Sequence, residues 1–449
     1  MRAVKGVAAV STLTDRLWER FGRLTIDQIP TDVLAVAHQC ILDWFGCALA
    51  GSREPLSQIL REELAGDGVC SLIGTDRRTD PARAALINGA AGHALDFDDS
   101  SAVMLGHPSA PVLPAVLAAA ERDARSGADA LTAYIVGVEV QSRIGMAIGD
   151  EHYAKGWHTT STVGVLGSAA AVGWLLGLDE EAYGAAMGIA ASSSSGLKAN
   201  FGTMTKPLHA GQAAERGLLA ARLASGGFTA GRDAVDGSQG LAQAAGSGWL
   251  DLDRIEEWGD RWATTQALFK YHAACHCTHA GLEATRSLLT NGVDAGEIER
   301  ITLIVNPSIL DMCGIPEPVT GLEAKFSLRG TQALLVAGAD TTAAATFDDG
   351  PINRPDVQAI LRKVVIETDD TLGDLATRVE VLTPGGVHRA AGDVSRPAYD
   401  IGAQGELLRT KFNALAVPVL GETAATALAE RLSDLIAVAE VGDLLALSR

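Results

Sequence analysis

Aromatic residues are scarce, only 5% of 449, which leaves too few rings to wall a pocket that shelters a carbocation. Cysteine is sparse as well. Cys40, Cys47, Cys70, Cys275, Cys277 and Cys313 sit mostly in apolar contexts, as reduced core thiols of a cytoplasmic protein do, and we expect no disulfides. Nowhere do Lys and Arg gather into a basic run, and 36 basic against 55 acidic residues give a net charge of −19. That charge repels polyanions, so nucleic acid is not an expected partner. Long apolar runs are missing too: Val163 to Leu178 is interrupted by Gly164, Gly167, Ser168 and Gly173 and falls short of the ~20 residues of a membrane span. We expect no membrane partner. The apolar run between Lys5 and Ser11 is too short for a signal-peptide core.

What is abundant is alanine and glycine, within an apolar fraction of 47% and a charged fraction of 20%, a composition of globular chains that pack closely through small residues. The length suggests two or three domains. In Thr31 to Gly46, a helical stripe carries Val33, Val36, Cys40, Ile41, Trp44 and Phe45, with Thr31 or Asp32 as candidate cap. Further helical patterns cover residues 81–95, 109–126, 129–148, 160–177, 179–191 and 207–225, with no convincing strand before about residue 265. The pattern then changes. Ile301, Leu303 and Val305 alternate as a strand does, residues 363–368 are a second candidate, and residues 378–382 and 387–390 flank Pro384-Gly385-Gly386 as a hairpin. Helical patterns at 278–290, 326–338 and 355–361 lie among them, and 406–416 and 422–440 close the chain. These last are too few to fold alone and are expected to pack back on the first helices. The fold class is therefore mainly α: a large discontinuous all-helical domain, residues 1–266 and 396–449, plus a smaller α+β lid domain, residues 267–395.

Acids, hydroxyls and a histidine crowd most closely between His93 and Ser109. Asp96-Phe-Asp-Asp99 can bind Mg²⁺, act as a cyclase acid, or position groups around a polar substrate. The aromatic shortage argues against the cyclase, and Ala-Ala-Gly-His-Ala-Leu is not the β-branched strand that a dehalogenase-type phosphatase needs. Acids at helix starts explain part of the cluster; we expect one acid to be catalytic and the others structural. His107 opens a helix, where the dipole favours its neutral, proton-accepting form. Gly156 to Thr162 places His158 before four hydroxyl residues, Thr159 first, where a carboxylate can bind. Lys206 stands between Met204 and Leu208 and wants an anion, and Lys270 marks the change of pattern. Cys275-His276-Cys277 lacks the two-residue gap of a zinc knuckle and no second ligand pair follows, so no metal site is expected.

Together these segments resemble the MmgE/PrpD family, which includes 2-methylcitrate dehydratase, cis-aconitate decarboxylase and iminodisuccinate epimerase. The carriers are Asp96-Phe-Asp-Asp-Ser with Gly106-His-Pro-Ser109, Gly156-Trp-His-Thr-Thr-Ser-Thr162, Gly202-Thr-Met-Thr-Lys-Pro-Leu-His209, Lys270-Tyr-His with Thr278-His279, and Ala324-Lys-Phe-Ser-Leu328. The resemblance implies an active site between the two domains of a homodimer without cofactor, and functional positions at Asp96, Ser100, His107, His158, Lys206 and Lys270. Gly330 stands where the family usually carries a tyrosine, which is expected to enlarge the pocket on the substrate side. The expected activity is a cofactor-independent lyase, a dehydratase or decarboxylase of a small di- or tricarboxylate. Lys206, Lys270, Thr159 and Ser100 would hold carboxylates, and His107 or His158 would move a proton, oriented by Asp96. The alternatives are an epimerase in the same site or a catalytically retired member that binds an acid.

Overall fold

A computed structural model describes residues 12–246 and 250–449; the apolar run before Ser11 lies outside them. The described chain is mainly helical. Helices run Leu13–Phe21, Thr31–Gly51, Pro55–Leu64, Pro81–His93, Ser109–Arg122, Gly127–Ile148, Gly164–Leu175, Glu180–Ser192 and Thr205–Ser225. Thr31–Gly51 starts after Pro30, without the side-chain cap expected of Thr31 or Asp32. The predicted 160–177 helix is two, Thr159–Thr162 and Gly164–Leu175, parted at Val163. Two strands escaped the sequence pattern: β1 (Cys70–Ser71) and β2 (Arg78–Thr79) pair antiparallel, each too short for alternation to register.

The predicted strands form one four-stranded sheet. They are β3 (Arg300–Val305), β4 (Val364–Thr368), β5 (Ala376–Thr383) and β6 (Gly386–Asp393), in the order β4-β3-β5-β6. β3 pairs parallel with β4 and antiparallel with β5, so Ile301 lies between Val364 and Val381, and Leu303 lies beside Val379. Period-2 alternation puts these apolar residues on one face, where they pack with Ala284 and Leu288 of His279–Thr290 and with Leu328 and Val336 of Leu328–Val336.

The other helices share a second core that both ends of the chain build. Leu408 and Phe412 of Ile401–Leu420, and Leu428 and Leu432 of Glu422–Ser433, pack with Ile41, Trp44 and Phe45. Thr31–Gly51 is long and apolar enough to cross a membrane by length and composition, yet this partner covers it and it carries the buried Asp43. Lys411 Nζ lies 2.6 Å from Asp43 Oδ1, a charge contact without hydrogen-bond geometry, since neither Asp43 oxygen accepts a bond. Burial pushes the Asp43 carboxyl up to about 6, with Lys411 opposing. The native state therefore holds that proton more tightly than the unfolded chain, and stability falls as pH rises from the ordinary carboxylate value, 3.8, through about 6. Lys411→Met is expected to cost about 3–5 kcal/mol by orphaning a buried charge. Urea unfolding should show a larger loss near about pH 8 than near about pH 5, where Asp43 can protonate.

Small residues decide where the site lies. Pro81–His93 and Thr205–Ser225 cross at Gly89 and Gly211: a Cβ on Gly89 would stand 2.9 Å from the Gly211 Cα, and one on Gly211 would stand 2.2 Å from the Leu86 carbonyl oxygen. Only glycines permit backbones this close. The crossing brings His93, at the end of one helix, to Lys206, at the start of the other, with Nε2 and Nζ 3.0 Å apart.

Candidate active site

Between His93 and Ser109 the chain is irregular and mostly buried, so its backbone polar groups need partners inside the protein. Three lysines from distant segments supply them. Lys325 Nζ donates to the Leu95 carbonyl at 2.8 Å, Lys270 Nζ to that of Asp96 at 2.7 Å, and Lys411 Nζ to that of Phe97 at 2.6 Å. Ser100 N–H reaches the Leu268 carbonyl at 2.8 Å, two residues before Lys270. Asp96 itself is left-handed, at φ +51°, a region that Asp enters more readily than most residues.

The turn aims the Asp96 carboxylate at two ammonium groups. Lys206 donates to Oδ1, and Lys270 to Oδ2 at 3.0 Å. Burial would raise the Asp96 pKa, but Lys206 and Lys270 overcome it and hold the carboxyl well below its ordinary range; correspondingly, burial lowers the Lys270 pKa but Asp96 more than restores it. Phe201 and Phe326 flank Lys206, with ring centres 5.3 and 5.2 Å from Nζ.

Asp98 performs the orienting role expected of Asp96. His93 Nδ1 lies 2.9 Å from Asp98 Oδ1, and His107 Nδ1 lies 3.3 Å from Asp98 Oδ2. His107 Nδ1 also lies 2.8 Å from the Asp99 carbonyl oxygen. A carbonyl only accepts, so Nδ1 carries a hydrogen, and in the neutral ring the lone pair is on Nε2. That nitrogen is 3.6 Å from Asp96 Oδ1, too far for a hydrogen bond. Asp96, filled by two lysines, does not orient the ring. Asp99 is structural: it accepts from Ser109 Oγ at 2.7 Å at the start of Ser109–Arg122, and burial and then Asp98 push its carboxyl up to about 8.

His93 donates to Asp98 and accepts from Lys206, so it is neutral; burial pulls it down to about 4 against the pull of Asp98. The pattern reading singled out neither His93 nor Lys325 as a site residue, although both stand within quoted stretches. Their signal was a buried setting: Lys325 lies between Ala324 and Phe326 as Lys206 lies between Met204 and Leu208. His158 joins the group through its ring, 6.1 Å from that of His93, and its Nδ1 is 3.2 Å from His209 Nδ1. Burial and then Lys206 hold His158 well below its ordinary range, so it too is neutral. Ser100 lines the same wall, with Oγ 2.7 Å from His276 Nδ1.

Two expected substrate contacts need correction. Thr159 donates its hydroxyl to the Leu105 carbonyl, holding another left-handed residue, Leu105 at φ +51°. Thr160 accepts from His107 N–H at 3.1 Å, and Ser161 donates to the His209 carbonyl at 3.1 Å. These hydroxyls brace the loop, and Thr159 and Ser161, having donated their hydrogens, are not free for a carboxylate. Gly330 does not enlarge a pocket. It is buried in Leu328–Val336 with its N–H on Ser327 Oγ at 2.9 Å, and a Cβ there would lie 2.9 Å from Pro318 Cγ. Pro318 fills the direction in which a side chain would leave.

Lys206 and Lys270 share the Asp96 carboxylate, while Lys325 donates to the Leu95 carbonyl and feels Glu54 more than Asp96, so the three ammonium groups have one carboxylate in direct contact among them and can attract an anion. His93, Asp98 and His107 bring ligand atoms within 4.8 Å of one another, but His93 Nδ1 points its hydrogen at Asp98, His107 Nδ1 points its own at the Asp99 carbonyl, and Lys206 caps His93, a set arranged for protons rather than for a cation. Burial lowers Lys325 to about 8. It is charged below that pH and neutral above, so affinity for an anion falls as pH rises through about 8. KM should rise on that limb, and Lys325→Met should remove the limb while raising KM at lower pH. Asp99 ionisation near the same pH would leave the limb in the variant.

The chain matches known proteins over most of its length. The MmgE/PrpD N-terminal domain matches residues 16–250, and the MmgE/PrpD C-terminal domain matches residues 272–435. A cis-aconitate decarboxylase of Aspergillus terreus is 32% identical over 384 residues, 79% of this chain and 78% of that protein. The cis-aconitate decarboxylase of Homo sapiens is 32% identical over 380 residues, 80% of this chain and 77% of that protein. That of Mus musculus is 35% identical over 307 residues, 65% of this chain and 62% of that protein. With two domain matches in order across most of its length, the chain belongs to the MmgE/PrpD family.

Proposed function

We propose that this protein, a lyase of the decarboxylase and dehydratase type, acts on a small di- or tricarboxylate by moving a proton at the carbon next to a carboxylate. The observation that carries this reading is the convergence of three buried ammonium groups, Lys206, Lys270 and Lys325, on the Asp96 turn, beside a histidine whose free nitrogen faces the same point. The ammonium groups hold substrate carboxylates and stabilise the negative charge that develops as a bond to the adjacent carbon breaks. In decarboxylation the C–C bond to the leaving carboxylate breaks, CO₂ departs, its electron pair stays on carbon, and His107, protonated at Nε2, returns a proton there. In dehydration neutral His107 Nε2 takes the proton instead and hydroxide leaves from the next carbon. Asp98 stabilises the imidazolium in either direction.

The substrate class follows the names of the relatives, and cis-aconitate is the first acid to test. On this reading the helical parts, 1–266 and 396–449, form one domain and 267–395 the lid. The protein works as a cytoplasmic homodimer with its own residues as the catalytic groups. Incubation with cis-aconitate and related tricarboxylates in D₂O, followed by NMR, is expected to show either loss of CO₂ with one deuterium entering the carbon chain, or loss of water with one C–H bond lost and no deuterium gained. Deuterium exchange or inversion with neither loss would instead identify an epimerase. Stabilisation by acids with no turnover of any would identify a retired, acid-binding protein.

A further inference from the structure

Cys275, Cys277 and Cys313 bring three Sγ atoms within 4.8 Å of one another. Two lie on the segment that carries Lys270 and His276, and the third ends the short helix Leu310–Cys313. Cys277 and Cys313 are buried, and Cys275 is half-buried. A fourth sulfur is at hand: Met312 Sδ stands 3.9 Å from Cys277 Sγ. Apolar packing can use a thiol anywhere, but it gives no reason to gather four sulfurs from two segments at one point.

We propose that this cluster is a binding site for a soft, thiophilic d¹⁰ cation, with Cu(I) the ion that fits best. Thiolate and thioether donors are the soft set that Cu(I) selects, whereas zinc sites draw on thiolate, imidazole and carboxylate, and no histidine or acid belongs to this group among the described residues. Sulfurs around a tetrahedral metal at about 2.3 Å lie about 3.8 Å apart. The cluster thus needs to close by about 1 Å at most, within reach of small side-chain rotations. The charge setting is favourable as well. Lys270, buried on the same segment as Cys275, places a positive charge that favours thiolates. Lys198, over the Tyr153 ring at 3.9 Å from its centre, supplies a further cation near Cys277.

A bound ion would tie the active-site segment to the Leu310–Cys313 helix. Cys275 N–H donates to the Lys325 carbonyl at 3.0 Å, and the adjacent His276 holds Ser100. Metal occupancy would therefore stiffen one wall of the active site without touching the reacting groups.

The test is an anaerobic titration of the reduced full-length protein with Cu(I) against a chromophoric Cu(I) chelator, with Zn(II) and Cd(II) titrated in parallel. One equivalent of Cu(I) should transfer to the protein, and copper K-edge absorption should show a shell of sulfurs alone. Cys277→Ala with Cys313→Ala should weaken binding by more than the roughly 10–100-fold that loss of an outer partner costs. Circular dichroism checks that this variant folds, and the wild-type absorption spectrum decides the question if it does not. Copper left on the chelator, nitrogen or oxygen in its shell, or equal binding by the folded variant would overturn the proposal. Preferential uptake of Zn(II) would overturn the assignment to copper.

Discussion

Replacing His107 with glutamine is expected to lower kcat by about 10²–10⁴-fold, the usual contribution of a positioned acid or base, with little change in unfolding by urea. The amide can still donate to the Asp99 carbonyl, which His107 Nδ1 contacts at 2.8 Å, so the loop keeps its bond, but it cannot exchange a proton. Steady-state kinetics on an acid that the wild type turns over is the measurement. Asp98→Asn supplies the control for charge. The Asp99 carbonyl still holds the Nδ1 hydrogen, but the amide removes the charge that stabilises the imidazolium, and kcat should fall while KM changes little. Full turnover by the His107 variant would move the proton transfer to another group, and His158, the other candidate base, would be replaced next.

Asp96→Asn should be the most destabilising single change in the site, by about 3–5 kcal/mol, because it leaves two buried ammonium groups without their carboxylate. Asparagine tolerates the left-handed φ of +51° as aspartate does, so the variant isolates the charge from the backbone. Adding Lys206→Met should recover part of the loss, since one orphaned charge goes with it, and urea unfolding of the four proteins in the cycle gives that coupling directly. The pH dependence has a definite sign. The Asp96 carboxyl is held well below its ordinary value of 3.8, so its stabilisation is present above that pH and is lost as pH falls below it. The asparagine variant should lack this part of the acid transition. A variant as stable as the wild type would mean that the Asp96 carbonyl satisfies Lys270 and His93 satisfies Lys206 without the carboxylate.

Much of the architecture was legible. Apolar spacing marked Thr31–Gly51 and Pro81–His93, and alternation marked β3 and the hairpin of β5 and β6, because these periods follow from local backbone geometry. Alanine and glycine announced close packing but not its place. That Gly89 and Gly211 meet, and so bring His93 to Lys206, depends on helices more than a hundred residues apart in sequence. Asp96, His107 and Lys206 stood out as polar residues crowded into apolar surroundings. The division of labour among the acids did not, because whether Asp96 or Asp98 orients a histidine depends on where Lys206 and Lys270 arrive.

From residue identity and spacing alone, this chain is set as a mainly helical protein whose candidate site centres on His93 to Ser109 and draws lysines from elsewhere. Only the tertiary structure decided that Asp98 rather than Asp96 steers the histidines, that Thr159 braces Leu105, that Pro318 occupies the space beside Gly330, and that Cys313 joins Cys275 and Cys277. Each of these is a contact between segments far apart in the chain. A local pattern encodes which groups are available and which face they share; the charge that reaches a buried carboxylate, and the atom that fills a neighbouring gap, are fixed by long-range packing.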